Sequence, residues 1–176
     1  MLLESENIKL RILEPEDADI IYAWENNSEN WKVSHTQIPF SKYTIEQYVN
    51  SIQDIYTTKQ LRFIICKKSN NNKPIGCIDL FDFEPFHNRA GVGILIADKE
   101  ERGKGYASEA LLLLKEYAFK TLCLTQLYCD IALSNENSFE LFSNNGFVVV
   151  GIKKAWNRVP NGYEDVYFLQ ALNYNS

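Results

Sequence analysis

Residues 94–110 (Ile94-Leu-Ile-Ala-Asp-Lys-Glu-Glu-Arg102-Gly103-Lys104-Gly105-Tyr106-Ala107-Ser108-Glu-Ala) combine an apolar run, a charged loop and small residues at a helix start. The first turn of a helix carries backbone N–H groups with no partner inside the helix. With the positive end of the helix dipole behind them, they form a seat for phosphate or pyrophosphate. Gly103 and Gly105 let the main chain approach the anion, while Arg102 and Lys104 add countercharge. A phosphate-bearing small molecule is therefore the expected ligand of Gly103 to Ser108.

Three anion-binding designs compete for this stretch. A P-loop needs Gly-Lys followed by Ser or Thr, but Lys104 is followed by Gly105. The dinucleotide fingerprint needs a third glycine after the first strand of a βαβ unit, whereas Gly103-Lys104-Gly105-Tyr106-Ala107-Ser108 ends in Ser and lies past mid-chain. The third pattern, R-x-x-G-x-A, is met by Arg102, Gly105 and Ala107.

The elements around the loop follow from hydrophobic period and turn residues. Ile8 to Leu13 reads as a strand, and Pro15 opens a helix carrying Ile20, Ile21 and Trp24. A second helix is expected over Thr44 to Ile55. Strands are expected at Leu61 to Lys67, Ile75 to Phe83 and Arg89 to Ala97, joined by turns short enough to make them antiparallel. Lys104 to Lys120 is the glycine-led helix, followed by a strand at Leu127 to Ala132 and a helix over Asn135 to Asn145, stopped by Gly146. A hairpin around Pro160-Asn161-Gly162 ends the chain. Strand 89–97, helix 104–120 and strand 127–132 form a βαβ crossover, so those strands should run parallel. The fold class is α/β (α+β): a mixed, mostly antiparallel sheet of six to seven strands with helices on both faces, in a single domain over 1–176.

Composition narrows the function. The net charge of −5 leaves no basic stripe for nucleic acid. No apolar run reaches the ~18 residues of a membrane span, and the charged N-terminus is no signal peptide, so a cytoplasmic protein is expected. Cys66, Cys77, Cys123 and Cys129 show no C-x-x-C spacing and read as reduced thiols, not a metal site. Eight carboxylates in the first thirty residues face only Lys9 and Arg11, an acidic bias that can concentrate a cationic amine.

The element order with R-x-x-G-x-A resembles the GNAT superfamily of N-acetyltransferases. Further matches are Asn135-Glu-Asn137-Ser138 with Asn145-Gly146-Phe147, Gly76 with Arg89-Ala90, and Leu10-Arg11 with Glu14-Pro15-Glu16-Asp17 and Trp24. These resemble the subgroup of spermidine and ribosomal-protein N-terminal acetyltransferases. The resemblance implies acetyl-CoA as cofactor and a splayed central pair of parallel strands. It assigns the pantetheine arm to the backbone of Ile94, Leu95 and Ile96 and the pyrophosphate to the loop from Arg102 through Ser108. Asn135 would hydrogen-bond the cofactor's amide arm, and Ser138 would line the slot. Asn135 is equally a good N-cap residue, and both roles can hold.

Acetyl transfer to a primary amine requires loss of a proton from a group that titrates near ~10, and a donor for the developing oxyanion. A backbone N–H near Val92 to Ile94 is the expected donor. The acceptor is a small-molecule or peptide amine. Many relatives carry a Tyr acid where this chain has Phe142, and the Glu pair of the spermidine enzymes is replaced by Gln37-Ile38-Pro39. Asp82, Glu84 and His35 are the candidate catalytic residues, with Asp79 beside them; by alternation Asp82 and Glu84 share one strand face and Asp79 the other. Asp82 matches an acidic position facing the amine in the spermidine-type enzymes, and a solvated hairpin end is its plain alternative. A non-catalytic acyl-CoA sensor or interaction domain is the competing class. The residues leave the assembly state open, a homodimer included.

Overall fold

The computed structural model describes residues 3–31 and 36–173. Seven strands form one sheet in the order β1-β2-β3-β4-β5-β7-β6. They are β1 (Ile8–Ile12), β2 (Leu61–Lys67), β3 (Lys73–Glu84), β4 (Arg89–Ile96), β5 (Gln126–Ala132), β6 (Val148–Val159) and β7 (Gly162–Leu172). All neighbours are antiparallel except β4 and β5, which run parallel. The expected crossover connects them through α4 (Tyr106–Lys120).

Helices cover both faces, which explains why β2 is apolar almost throughout. Phe63 and Ile65 of β2 join Ile78 and Leu80 of β3 in the main core, packed by Leu111 and Leu114 of α4 and Phe142 of α5 (Glu136–Asn144). Ile64, Cys66 and Cys77 point the other way. They meet Ile21 of α1 (Ala18–Glu25) and Ile45 and Val49 of α2 (Lys42–Val49).

Three local readings differ from the sequence expectation. The second helix starts earlier because Ser41 Oγ accepts from the Thr44 N–H at 3.0 Å. It stops at Val49, where Asn50 Nδ2 and Ser51 Oγ donate to the carbonyls of Glu46 and Tyr48. A separate short turn, α3 (Ile55–Thr58), then begins at Asp54, whose side chain accepts from Tyr56 N. The glycine-led helix begins at Tyr106, since Gly103 and Gly105 hold φ of 73° and 87°, outside helical geometry.

The third difference lies in β3. The register shifts between Phe81 and Glu84, and Asp82 takes a φ of 47°. Such a bulge inverts the face of every later residue. Phe83 consequently enters the main core, while Phe81, two residues earlier, lines a cavity on the opposite face. Simple alternation, which grouped Asp82 with Glu84, fails at this point.

Candidate active site

The parallel pair parts almost as soon as it forms. β4 and β5 share three rungs, Arg89 with Gln126, Ala90 with Leu127 and Gly91 with Tyr128. Beyond them β5 continues against β7, and β4 against β3. Among the described residues, Val92 to Ile96 therefore have no strand partner on the β5 side. An edge of this kind offers main-chain donors and acceptors to an extended guest. Ile94, Leu95 and Ile96, which the resemblance assigns to the pantetheine arm, lie on it.

The loop at the end of β4 is built for close approach. A Cβ placed on Gly103 or Gly105 would meet no atom within 4 Å, so the ground before both is open. Gly105 is the N-cap of α4 and brings no side chain to the cap. The first helical bond runs from Glu109 N to Gly105 O, which leaves the N–H groups of Tyr106, Ala107 and Ser108 without an intrahelical acceptor. An open cradle and three N–H groups with no intrahelical acceptor fit a pyrophosphate.

The charges around this turn are partly spent. Lys67 Nζ donates to both oxygens of Glu101 at 2.9 and 3.0 Å, and Lys104 Nζ reaches Glu101 Oε2 at 3.0 Å. Hydrogen bonds from the two lysines hold the Glu101 carboxyl below the usual range. Arg102 is exposed and donates from Nε to the Ile96 carbonyl at 2.8 Å, tying the loop to the strand end. Ser108 Oγ is committed to Asn145 Oδ1 at 2.9 Å, so its hydroxyl fastens α4 to the end of α5. Asn135 caps α5, its Oδ1 accepting from Ser138 N at 3.2 Å.

Beside the open flank of β4 lies a cavity of about 680 Å³. Trp24 and Glu25 of α1, Thr44 and Tyr48 of α2, Arg62 of β2 and Asp79 of β3 form much of its wall, with Val92 to Leu95 along one side. Arg62 holds Asp79 through a two-pronged pair, Nε–Oδ1 2.8 Å and Nη2–Oδ2 2.9 Å, and Glu25 through Nη1–Oε1 2.6 Å. Its side chain is only 12 % exposed. Burial opposes the guanidinium charge, but the Asp79 carboxylate holds Arg62 firmly cationic.

The candidate catalytic residues scatter. Asp79 lines the cavity, whereas Asp82 and Glu84 are not among its lining residues. Asp82 is exposed on the bulge; burial, with Asp82 alongside, pushes the Tyr128 hydroxyl up. Glu84 accepts from Phe86 N at the hairpin tip. His35 lies outside the described residues. Phe142 is buried in the core with its ring edge against Phe147, so no hydroxyl acid stands there. Sequence reasoning missed Glu25, Tyr48 and Arg62. One signal was present: Arg62 is the single charge inside the apolar run Leu61 to Cys66.

Comparison with known proteins assigns this fold to a family. Residues 7–148 match the model of the acetyltransferase (GNAT) domain family. The spermidine N(1)-acetyltransferase of Vibrio cholerae is 28 % identical over 171 residues, covering 95 % of each chain. The crystal structure of spermidine N-acetyltransferase from Vibrio cholerae with CoA and spermine superposes with a TM-score of 0.84 at 25 % identity, covering 94 % of this chain and 95 % of that one. A dodecameric structure of the Vibrio cholerae enzyme superposes at 0.77, also at 25 % identity, over 94 % and 93 %.

Proposed function

The chain belongs to the GNAT acetyltransferase family, and on that premise we propose that it transfers the acetyl group of acetyl-CoA to a primary amine of a small polycationic acceptor. It is an N-acetyltransferase, and acetyl-CoA is its cofactor. The acceptor class, the direct mechanism and the residue roles are the proposal. The observation that carries it is the parting of β4 from β5 after Gly91 and Tyr128, beside a cavity whose charges are mainly negative.

Acetyl-CoA, when bound, supplies a thioester carbonyl open to attack by an amine. The N–H groups of Tyr106 to Ser108 would hold its pyrophosphate, and Arg102 would add countercharge. The free flank of Val92 to Ile96 would orient the arm as a neighbouring strand does, and a backbone N–H of this stretch would serve as donor to the carbonyl oxygen. Asn135 would hydrogen-bond the amide arm and Ser138 would line the slot. The cavity holds the amine in line, which lowers the barrier by removing translational and rotational freedom before attack. Three carboxylates, Glu25, Asp79 and Asp130, face it against the charge of Arg62, an arrangement suited to a cation. Asp130 is itself paired with Lys153 at 2.7 Å. Asp82 and Glu84 stay as proton-moving candidates reached through water, and His35, outside the described residues, stays a candidate by its residue type.

The relatives give the non-catalytic reading no support, since they carry enzymatic names. A single domain, a cytoplasmic setting and a homo-oligomer complete the proposal. All four cysteines are free thiols, and the edge strand β6 exposes Val148, Val150 and Ile152. Incubation with acetyl-CoA and a panel of polyamines, aminoglycosides, amino acids and peptides should release free CoA thiol, with polyamines fastest. Silence across the whole panel sinks the reading.

A further inference from the structure

The ammonium of Lys153 sits in a cage. Its Nζ donates to Asp130 Oδ2 at 2.7 Å and lies 5.0 Å from the ring centroids of both Trp156 and Phe168. A carboxylate with two aromatic faces suits an alkylammonium, because the ring faces are negative and the carboxylate supplies charge and acceptor together. The strands assemble the parts in steps. Asp130 of β5 pairs with Phe168 of β7, and Val166, on the same face as Phe168, pairs with Lys153 of β6. Trp156 joins them through a bulge: the β6 register shifts between Lys153 and Asn157, and Ala155 takes a left-handed φ of 48°. Asp165 holds that turn, its Oδ1 accepting from Ala155 N at 2.8 Å and its Oδ2 from Lys154 Nζ at 2.7 Å.

The cage adjoins the acceptor cavity, because Asp130 belongs to both. Asp79 pairs with Gly93, and Gly93 lies two residues past the last β4–β5 rung, as Asp130 does. Asp79, Gly93 and Asp130 therefore follow one another across β3, β4 and β5, over two inter-strand spacings, roughly 10 Å or more, with only a glycine between the carboxylates. The cage is open to a guest: Trp156 is 60 % exposed, and the side chains of Asp130 and Lys153 are 36 % and 30 % exposed. Lys153 stands on the edge strand at the end of a flexible stem, so it can swing into solvent without disturbing the sheet.

We propose that Asp130, Trp156 and Phe168 form a second ammonium site for the far end of the acceptor, and that Lys153 is its built-in occupant, displaced by an acceptor long enough to reach it. This rests on the acetyl-transfer reading and names what selects the length of its substrate. A reacting amine beside Gly93 has Glu25 and Asp79 to one side and Asp130 to the other, so a chain carrying several ammoniums engages both. A monoamine has no charge left for the cage once its nitrogen is at the thioester.

The test empties the cage with Lys153→Ala and reads the preference for spermine over butylamine as a ratio of kcat/KM. That ratio should rise about threefold to tenfold, the worth of one or two cation–π contacts. Lys153→Gln should behave alike and serves where the alanine variant folds poorly. Lys154→Ala removes the same charge one residue along and should gain less. Adding Trp156→Ala to Lys153→Ala should return most of the gain, since it dismantles the emptied cage. Thermal shift by spermine without acetyl-CoA reads the site apart from chemistry, and it should be larger in Lys153→Ala than in the wild type. A wild type that acetylates no amine but shows this ordering defeats the enzymatic reading and keeps the site. Equal spermine shifts in wild type and Lys153→Ala overturn the inference, as does a gain that survives Trp156→Ala or is matched by Lys154→Ala.

Discussion

Gly76 lies directly beneath the carbonyl of Leu95. A Cβ on Gly76 would drive into that oxygen and stand 2.9 Å from the Cα of Ile96, its partner across the ladder. The collision is with backbone, which has no flexible end to swing aside. Because the other flank of this same β4 segment is the free edge of the candidate site, Gly76→Ala should damage fold and function together. Overpacking of this kind costs roughly 1–3 kcal/mol or more. Chemical denaturation should show that loss, and a variant within about 0.5 kcal/mol of the wild type would contradict the packing described.

Gly105 separates backbone strain from ligand exclusion. Nothing crowds its Cβ position, so Gly105→Ala meets only the penalty of a left-handed φ, about 1 kcal/mol. Gly105→Glu adds bulk and negative charge to the proposed pyrophosphate seat. Titration with CoA should find measurable binding in the alanine variant and none in the glutamate variant. Equal CoA affinity for wild type and Gly105→Glu would refute the seat.

Arg62 serves two carboxylates at once. Replacing it with Met strands Glu25 and Asp79, both largely buried, and breaking such a pair costs about 3–5 kcal/mol. Adding Asp79→Asn to that variant should recover part of the loss, since one stranded charge is removed. A double-mutant cycle checks this; strictly additive effects would mean that the two side chains do not act together.

Acid should uncouple Glu101 from its lysines. Its carboxyl sits below the ordinary range because Lys67 and Lys104 donate to it. A carboxyl lowered in the folded state stabilises the fold above its unfolded value, ~4.3, and that contribution disappears as pH falls through the lower folded value. The melting-temperature gap between wild type and Glu101→Gln should be open at pH 7 and close below about pH 4. A gap that ignores pH would exclude the ionic origin.

Thiol chemistry should single out Cys123. It is exposed, while Cys66, Cys77 and Cys129 are buried, and burial pushes the Cys77 thiol up to about 12. A thiol reagent should label one site rapidly in the native protein and the rest only on unfolding. Fast labelling of Cys77 would mean that the cavity wall opens.

The loop and strand edge proposed for the cofactor were legible in the chain because their pattern is local. Gly103, Gly105 and the small residues after them are consecutive, and their strand and helix carry clear periods. The proposed acceptor cavity was legible only at Asp79, because Glu25, Tyr48 and Arg62 come from three other elements and meet it only after folding. Asp82 illustrates the other limit. Period-two reading places it correctly up to Phe81, and then one left-handed residue reverses the count. The early end of α2 has a similar origin: Asn50 and Ser51 are polar residues a helix tolerates, yet here their side chains take the terminal carbonyls.

Main-chain amides are identical in every protein, whatever the side chains. A guest held along the bare flank of β4 and by the first turn of α4 is held by groups that point mutation seldom removes. The neighbouring chamber has no such protection, for a single exchanged side chain redraws it. One half of the molecule is thus fixed by its backbone path, and the other can be retargeted to a new amine by a handful of substitutions.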